Sequence, residues 1–302
     1  MALVLSVVAV FSMCSFSAAA SGATEAPVDK ARVASEQFVR YELAVSKVYN
    51  RSTWAYSAVS VSHNGRRVSA DARMINGVPY IAVRSFFEEL TDMTVTYYSQ
   101  NRTLNVRGAG FEMDVIDGGN VIYANGRTLF SMTPSALMTN GKMYAPLAQI
   151  AKAVGMSYSY SGAAVSLYGA VKPITHASRF YREDEVYWLS RIISAESRGE
   201  SLLGQIAVGT VVMNRVKSPL YPNTIWSVIF DKKYGVQFSP VLDGSIYASP
   251  SAASVAAAKI CLEGFRVNEN ALFFLYPKYS TSSWIPNNRP YLFSIGKHDF
   301  YS

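Results

Sequence analysis

The sequence is poor in the side chains that bind metals and form disulfides. Its 302 residues include two cysteines, Cys14 and Cys261, and three histidines, His63, His176 and His298. No His-Glu-x-x-His segment is present, which argues against a zinc peptidase or amidase. Cys261 lies in an alanine-rich segment typical of a buried thiol rather than of an activated nucleophile. We therefore expect neither a metal nor another cofactor.

Charge is also scarce. Charged residues make up 16% of the chain and apolar residues 50%, with 20 Tyr and 15 Phe, a composition that excludes a disordered chain. Serine, threonine, asparagine and tyrosine must then supply most of the polar surface, as is common in exported proteins. The net charge of +7 is not concentrated in any basic run, so nucleic acid is not an expected partner. A mild positive charge suits a polyanionic matrix.

The first twenty residues carry no charged side chain. Residues 3–13 form a mostly apolar run that is too short to span a bilayer, and residues 18–20 are three alanines that fit a cleavage site. We predict a signal peptide over residues 1–20, export, and no membrane span after cleavage. Removal of Cys14 would leave Cys261 alone, without an intramolecular disulfide.

Asparagine–glycine pairs mark the next region. Residues 21–57 are predicted to be a leader or spacer, and short β-type runs begin at residue 58. Four Asn-Gly dipeptides interrupt these runs: Asn64-Gly65, Asn76-Gly77, Asn125-Gly126 and Asn140-Gly141. Asn-Gly is a strong hairpin pattern, because both positions tolerate positive φ. The first and third dipeptides are 61 residues apart, and the second and fourth are 64 residues apart.

The flanks of the second and fourth dipeptides repeat one order: strand, Asn-Gly, strand, a helix of about two turns, and two more strands. This order predicts an internal duplication of a small α+β hairpin–helix–hairpin unit within residues 58–169. The pattern resembles the copper amine oxidase N-terminal-like domain, which implies a structural or wall-binding stalk. Copper is not implied, because His63 is the only histidine in the region. Residues 170–178, which contain Pro173, are predicted to be a linker.

Residues 179–302 form the predicted C-terminal domain, and a glutamate stands out in its first long helix, residues 183–197. One face of this helix carries, at steps of three or four, Val186, Leu189, Ile193 and Glu196. Glu196 therefore ends an otherwise apolar stripe. Burial there would raise its pKa, as a general acid for glycosidic bond cleavage requires. The alternative is a glutamate of the last turn that faces solvent or pairs with Arg191 or Arg198.

Further elements follow in order. The sequence predicts a helix over residues 202–216, a short helix that Thr224 caps, a polar loop over residues 234–245, and an alanine-rich helix that Pro250 opens and Gly264 closes. A strand over residues 271–276 and a last aromatic strand or loop segment over residues 291–301 complete the chain.

Several segments of this domain resemble the cell wall hydrolase family of spore cortex-lytic enzymes, the SleB/CwlJ type. They are Ala195-Glu196-Ser197-Arg198-Gly199-Glu200, residues 204–208, 211–216 and 221–224, Gln237-Phe238-Ser239, and residues 295–301. The resemblance implies an overall α+β chain whose lysozyme-like, mainly α catalytic domain cleaves the β-1,4 bond between N-acetylmuramic acid and N-acetylglucosamine in peptidoglycan. It also implies action in the cell wall or spore envelope. Spore relatives usually carry a different domain in front, so spore cortex and vegetative wall both remain open as substrates.

The number of catalytic carboxyls separates two mechanisms. Hydrolytic glycosidases use two, and Glu200, Asp231 and Asp243 are the candidate partners, of which none stands out. A lytic transglycosylase needs one, which protonates the leaving oxygen and then accepts the proton of the muramic C6 hydroxyl. We therefore expect Glu196 to be acid and then base. The alternative from another class is a non-catalytic peptidoglycan- or spore-coat-binding protein that retains the fold.

Sugar sites combine aromatic faces with amide and hydroxyl groups. Gln237, Phe238, Ser239, Asn214 and Tyr276 are the predicted substrate-binding residues, with the first three in the segment that resembles the family. Asn214 has an alternative role as buried support for Glu196. A sixth residue, His298, is interpreted as a packed, hydrogen-bonded histidine rather than a catalytic one.

Overall fold

The structure is a computed structural model that describes residues 56–302, apart from residues 109, 133–135, 234 and 281. The predicted signal peptide, and all but the last two residues of the predicted leader, lie outside the described residues. Within the described part of the chain, no helix has both the length and the apolar character needed to cross a membrane.

The described residues of the N-terminal part form twelve strands and two short helices. The strands are β1 (Tyr56–His63), β2 (Arg66–Ile75), β3 (Val78–Ala82), β4 (Thr94–Tyr98), β5 (Thr103–Gly108), β6 (Phe111–Ile116), β7 (Val121–Ala124), β8 (Arg127–Phe130), β9 (Leu137–Thr139), β10 (Lys142–Pro146), β11 (Ser157–Ser161) and β12 (Ala164–Tyr168). The helices are α1 (Val83–Leu90) and α2 (Leu147–Ala153). The two predicted helices of about two turns are confirmed as α1 and α2.

All four Asn-Gly dipeptides form the predicted hairpin turns. Each asparagine has φ of 49–50° and each glycine φ of 72–80°, the left-handed conformation that a two-residue type I′ turn requires. The turns join β1 to β2, β2 to β3, β7 to β8 and β9 to β10, and every pair is antiparallel.

The strands form two sheets, ordered β11-β12-β1-β2-β3-β10-β9 and β4-β5-β6-β7-β8. The predicted order of elements occurs twice, as β2-β3-α1-β4-β5 and β9-β10-α2-β11-β12, but β4-β5 and β11-β12 belong to different sheets. β3 pairs with β10, and one hydrophobic core takes side chains from both units. The two units therefore share one core instead of forming separate modules, and the duplication stays a prediction.

The predicted linker is tied to the N-terminal part by backbone hydrogen bonds. The Lys172 amide donates to the Val154 carbonyl at 2.7 Å, and the Ile174 amide to the Ala153 carbonyl at 3.1 Å. The Asn125 side-chain amide donates to the Ile174 carbonyl at 2.9 Å. This segment is therefore fixed as it leads into α3 (Ala177–Phe180).

The C-terminal part is mainly helical. Its helices are α4 (Glu183–Ser197), α5 (Leu202–Lys217), α6 (Ile225–Ile229), α7 (Pro240–Asp243), α8 (Ala252–Leu262) and α9 (Trp284–Asn288), with a 3₁₀ turn at Ser245–Tyr247. The strands β13 (Phe273–Leu275), β14 (Tyr291–Ile295) and β15 (His298–Tyr301) form a sheet ordered β13-β15-β14. The described part of the chain is thus a mixed α/β structure.

Three local predictions need correction. Ser251, not Pro250, caps α8, because its hydroxyl accepts the Ser254 amide at 3.1 Å and Pro250 lies before the cap. The predicted polar loop over residues 234–245 contains the helix α7, which begins at Pro240. The last aromatic segment is a hairpin, because Gly296, with φ of 59°, lies between β14 and β15.

A buried ion cluster joins the two parts of the chain. Arg127 of β8 donates Nε and Nη2 to the Glu263 carboxylate at 2.8 and 2.7 Å, the Tyr181 hydroxyl donates to it at 2.7 Å, and Lys152 Nζ lies 3.0 Å from it. Burial alone would raise the pKa of Glu263, but these donors outweigh it and hold the pKa below its ordinary value. Because both carboxylate oxygens are bonded, the N-terminal part is fixed against the end of α8.

Candidate active site

Helix α4 places Glu196 in its last turn. Its first turn carries Glu183, Asp184 and Glu185, which suit the positive end of the helix dipole. Leu189, seven residues before Glu196 and on nearly the same face, is fully buried. Glu196 therefore continues the inward-facing side of the helix, although its side chain keeps partial contact with solvent.

The Glu196 carboxyl has no hydrogen-bond or ion-pair partner among the described residues. Arg191 lies over the Tyr187 ring at 3.6 Å, and Arg198 donates to the Ser194 hydroxyl and to the Ser249 carbonyl. The alternative pairing of Glu196 with either arginine is therefore wrong. Burial, and secondly the negative charge of Asp243, raise the pKa of Glu196 to about 7. Near neutral pH such a group can both donate and accept a proton.

Asp243, at the end of α7, is the carboxylate that acts on Glu196. Hydrogen bonds from Ser245, including its backbone amide at 2.8 Å, hold the pKa of Asp243 below its ordinary value. Asp243 is therefore ionised when Glu196 is protonated. Two carboxyls whose pKa values are displaced in opposite directions are a recurrent feature of acid–base sites.

The other two candidate carboxylates have structural partners. Glu200 accepts the Lys297 amide at 3.2 Å and lies 3.9 Å from Nδ1 of His298. A Cβ on Gly296 would lie 1.8 Å from a Glu200 oxygen, so this turn requires glycine. Asp231 accepts the Lys233 amide at 2.9 Å in a local turn. Both side chains therefore take part in local structural contacts.

His298 is packed, as predicted, against the aromatic rings of Phe274 and Tyr276, with centroids at 5.6 and 6.0 Å. Its Nδ1 is buried and makes no hydrogen bond among the described residues. The predicted packing is therefore confirmed, but the predicted hydrogen bond is not found at this nitrogen. Burial lowers the pKa of His298, so the ring is neutral at neutral pH.

A buried polar network fixes the end of α4. The Ser194 hydroxyl accepts the Ser251 amide at 3.1 Å, the Ser251 and Ser254 hydroxyls bond each other at 2.7 Å, and Ser254 donates to Gln205 Oε1 at 2.7 Å. Gln205 also donates to the Glu200 carbonyl at 3.1 Å. The network ties α4 to α5 and α8, so it restricts the position of Glu196. Sequence reasoning missed it, because serines at distant positions carry no local pattern.

Two predicted substrate-binding residues are buried. Phe238 is 2% exposed and packs against Phe274, so its ring cannot stack on a sugar. Asn214 is 5% exposed and donates to the Asn268 and Ala271 carbonyls, both at 2.9 Å. It therefore fixes the chain before β13 and supports neither a sugar nor Glu196 directly. The segment Gln237-Phe238-Ser239, which resembles the family, does not by itself indicate which of its side chains are buried.

The other three predicted substrate-binding residues reach the surface. Ser239 is exposed at the start of α7, and Gln237 is half-buried, where it accepts a hydrogen bond from Arg215 Nη1 at 3.3 Å. Tyr276 is partly exposed, with its ring edge against Tyr279 at 4.8 Å. A role in substrate binding stays a prediction for all three.

The structure offers no fit for a metal within the described residues. No group of three or more His, Cys, Asp or Glu side chains there is placed to hold an ion. In the N-terminal part, Nε2 of His63 bonds the Gly169 carbonyl at 2.6 Å, so the residues present do not fit copper. A groove of about 450 Å³ lies over β1 and β2, and no carboxyl lines it.

A partly buried carboxyl with a raised pKa, subject to the negative charge of a second carboxyl on a small helical domain, is an arrangement suited to acid–base catalysis. Residues 199–301 match the cell wall hydrolase family, and residues 62–168 match the copper amine oxidase N-terminal domain family. The C-terminal part of this chain is a cell wall hydrolase domain, preceded by a copper amine oxidase N-terminal-like domain. Both resemblances stated from the sequence are confirmed. Glu196 lies three residues before the start of the range that matches the cell wall hydrolase family.

The curated relatives are spore cortex-lytic enzymes. That of Bacillus cereus (strain ATCC 14579) is 37% identical over 126 residues, which are 42% of this chain and 47% of that protein. That of Bacillus subtilis (strain 168) is 36% identical over 120 residues, or 40% of this chain and 38% of that protein. The chain thus spans less than half the length of these relatives.

Two solved structures are also similar. The catalytic domain of the germination-specific lytic transglycosylase SleB from Bacillus anthracis is 38% identical, with 40% of this chain and 97% of that chain covered and a TM-score of 0.37. The catalytic domain of the Bacillus cereus SleB protein is 38% identical, with 92% of it covered and the same TM-score.

Proposed function

We propose that this protein cleaves the β-1,4 bond between N-acetylmuramic acid and N-acetylglucosamine in peptidoglycan, as a lytic transglycosylase with a lysozyme-like catalytic domain. The observation that carries the proposal is Glu196, a half-buried carboxyl that has no hydrogen-bond or ion-pair partner in the part of the chain that the structure describes, and whose pKa is raised to about 7. Membership of the C-terminal part in the cell wall hydrolase family supports the substrate class.

Glu196 serves in both halves of the reaction. Its proton passes to the glycosidic oxygen as the bond from that oxygen to the muramic C1 breaks. The resulting carboxylate then accepts the proton of the C6 hydroxyl on the same muramic residue, and the C6 oxygen bonds to C1. No water is consumed, and the product ends in a 1,6-anhydro ring. The negative charge of Asp243 favours the protonated form of Glu196, and a negative charge near the site also stabilises the positive charge that develops at C1.

Asp243 also supports a second candidate, hydrolysis. An inverting glycosidase needs a base that activates water on the opposite face of the sugar. Asp243 is ionised and electrostatically coupled to Glu196, whereas Glu200 and Asp231 are bonded elsewhere. Hydrolysis would yield a reducing end instead of an anhydro ring, so the products separate the two reactions.

We propose that the protein is exported and acts in the cell wall or spore envelope. Four features support this: the apolar N-terminal run, the alanine triplet, the wall hydrolase domain, and relatives named spore cortex-lytic enzymes. The substrate is then spore cortex during germination or the vegetative wall. The proposed boundaries are a signal peptide over 1–20, a spacer over 21–57, a stalk over 58–169, a connecting segment over 170–178 and the catalytic domain over 179–302.

The test is mass analysis of the fragments that the full chain and its Glu196→Gln variant release from purified sacs of vegetative wall and of cortex. We expect anhydromuramic ends from the wild type alone. Reducing ends would replace transglycosylation by hydrolysis with Asp243 as base. If the wild type releases nothing while both proteins pellet with the sacs, the chain is a non-catalytic wall-binding protein.

A further inference from the structure

Four aromatic residues on the C-terminal domain form a continuous group, which we call the aromatic strip: Trp188, Trp226, Phe230 and Tyr247. Trp188 of α4 meets Phe230 edge-on at 5.1 Å and Tyr247 at 6.2 Å. Trp226 of α6 stacks on Phe230 at 5.1 Å with an interplanar angle of 29°. Each ring is therefore positioned by another ring of the strip.

The two ends of the strip face solvent. Trp226 is 53% exposed and Tyr247 is 60% exposed, whereas Trp188 and Phe230 are half-buried beneath them. Several large rings that are adjacent and exposed mark an interaction site more strongly than a single exposed aromatic residue does. Truncation of either outer ring would leave the buried core intact, so a role in stability does not explain their position.

The strip and Glu196 are connected through α4, which carries both Trp188 and Glu196. Trp188, Ile192 and Glu196 lie on one row of α4, each four residues from the next, and the ends of this row are about 12 Å apart along the helix. From the other side, the 3₁₀ turn that carries Tyr247 follows α7, whose Asp243 raises the pKa of Glu196. A polymer that lies over Glu196 and follows α4 reaches the strip within a few sugar rings.

We propose that the aromatic strip is a distal subsite that stacks against sugar rings of the glycan strand whose bond lies at Glu196. The inference rests on the proposed function and extends it to the length of substrate that the enzyme holds. Aromatic faces bind the apolar faces of sugar rings. Hydroxyl groups border the strip, since Thr224 caps α6 and Ser227 lies in its first turn, and these could bond the sugar hydroxyls at the rim.

The test measures binding without turnover, in the full chain with Glu196→Gln. Glycan strands of four and of eight sugars are titrated by calorimetry. When Trp226→Ala or Tyr247→Ala is combined with Glu196→Gln, the affinity for the eight-sugar strand is expected to fall about tenfold. The affinity for the four-sugar strand is expected to fall by less. Trp226→Phe should restore most of the affinity. The matched control is Tyr160→Ala, which removes a ring that is 49% exposed on β11 and is expected to change neither titration.

Three outcomes would overturn the subsite. They are unchanged binding in both alanine variants, an equal loss in Tyr160→Ala, and a change in the oligomeric mass of Trp226→Ala without a change in glycan affinity, which would make the strip an interface between copies. The subsite and the reaction fail separately. If the wild type cleaves glycan but the alanine variants bind as before, the subsite is wrong and the proposed reaction stands. If the alanine variants bind the long strand more weakly but the wild type does not cleave, the reaction is wrong and the subsite stands.

Discussion

Two largely buried glutamates lie at helix ends in the C-terminal domain, and their pKa values are displaced in opposite directions. Glu263, just after α8, has a side chain that is 3% exposed and accepts bonds from Arg127, Tyr181 and Lys152. Glu196, in the last turn of α4, has no such partner among the described residues. Burial acts on both, yet the pKa of Glu263 falls and that of Glu196 rises to about 7.

The difference between these carboxyls lies in their donors rather than in their depth. A buried carboxylate with every oxygen bonded stays ionised and joins the elements around it. A buried carboxyl without donors keeps its proton and is destabilising when it loses it. The first arrangement fixes the contact between the two parts of the chain, and the second holds a transferable proton. Four predictions test this contrast.

The largest effect is expected for Glu196→Gln. Glutamine keeps the shape but cannot donate the proton, so kcat should fall by about 10³-fold or more. The rate of soluble fragment release from sacs measures this. Glu185→Gln, a substitution of the same kind on α4, should stay within about twofold of wild type. A variant at Glu196 that retains a tenth of the activity would remove this residue from the reaction.

Glu263→Gln should produce the largest loss of stability. It leaves the buried Arg127 without its counter-charge, and we expect a loss of about 3–5 kcal/mol. Thermal unfolding at one pH should show a midpoint about 10 °C lower. The matched control is Glu112→Gln, because its partner Arg107 and Glu112 are both more than half exposed, and there the loss should be under about 0.5 kcal/mol. Equal losses at the two sites would refute the contrast.

Glu196→Gln should also change stability, but in the opposite direction and as a function of pH. The pKa of Glu196 rises on folding from 4.5 to about 7, so the folded protein holds a proton that the unfolded chain releases between these values. Wild-type stability therefore falls as pH rises through this window. The variant avoids that loss, so at pH 8 relative to pH 5 it should gain about 2 kcal/mol, less than the roughly 3 kcal/mol of a fully buried group. Urea unfolding at both pH values is the measurement. The same difference at both would show that Glu196 has no raised pKa.

Asp243→Asn should have the smallest effect. Activity needs protonated Glu196 and declines above its pKa. Without the charge of Asp243 that pKa falls, so the basic limb of kcat/KM moves to lower pH, although burial, the larger cause, still holds the pKa above its ordinary value. Asp231→Asn should leave the limb in place, since Asp231 acts on Arg215. If the basic limb of the kcat/KM profile moved in Asp231→Asn and not in Asp243→Asn, the effect of the Asp243 charge on Glu196 would be contradicted.

The features that the sequence predicts well are those that depend on near neighbours. The Asn-Gly turns need positive φ at two adjacent positions, and the bounds of α4 are those predicted from its apolar spacing. The raised pKa of Glu196 also follows from its place on one helix face. The turns and the helix are determined within a few residues of chain, whereas the pKa of Glu196 also depends on the burial of the helix and on Asp243.

The features that the sequence does not reveal depend on distant partners. Arg127 and Glu263 are 136 residues apart, and nothing near either residue indicates the other. Phe238 belongs to a family-like segment but lies in the core, because its neighbour Phe274 arrives from another part of the chain. A glycine inside a helix usually lowers the stability of the helix, and Gly209 lies in the middle of α5. It is needed there, since a Cβ would lie 2.7 Å from both Ile193 and Cys261, where α4 and α8 approach.

The parallel pairing of β1 with β12 has a consequence for the order in which the chain folds. Ser60 lies opposite Ala164, so the seven-stranded sheet cannot be completed until residue 168 has been synthesised. Contacts this distant in sequence form slowly, and domains generally fold in order from the N-terminus. The helical C-terminal part follows β12 in the chain and therefore emerges from the ribosome after this sheet. The strands that surround Arg127 are therefore already available when α8 is synthesised, so the contact between Arg127 and Glu263 can form as soon as α8 folds.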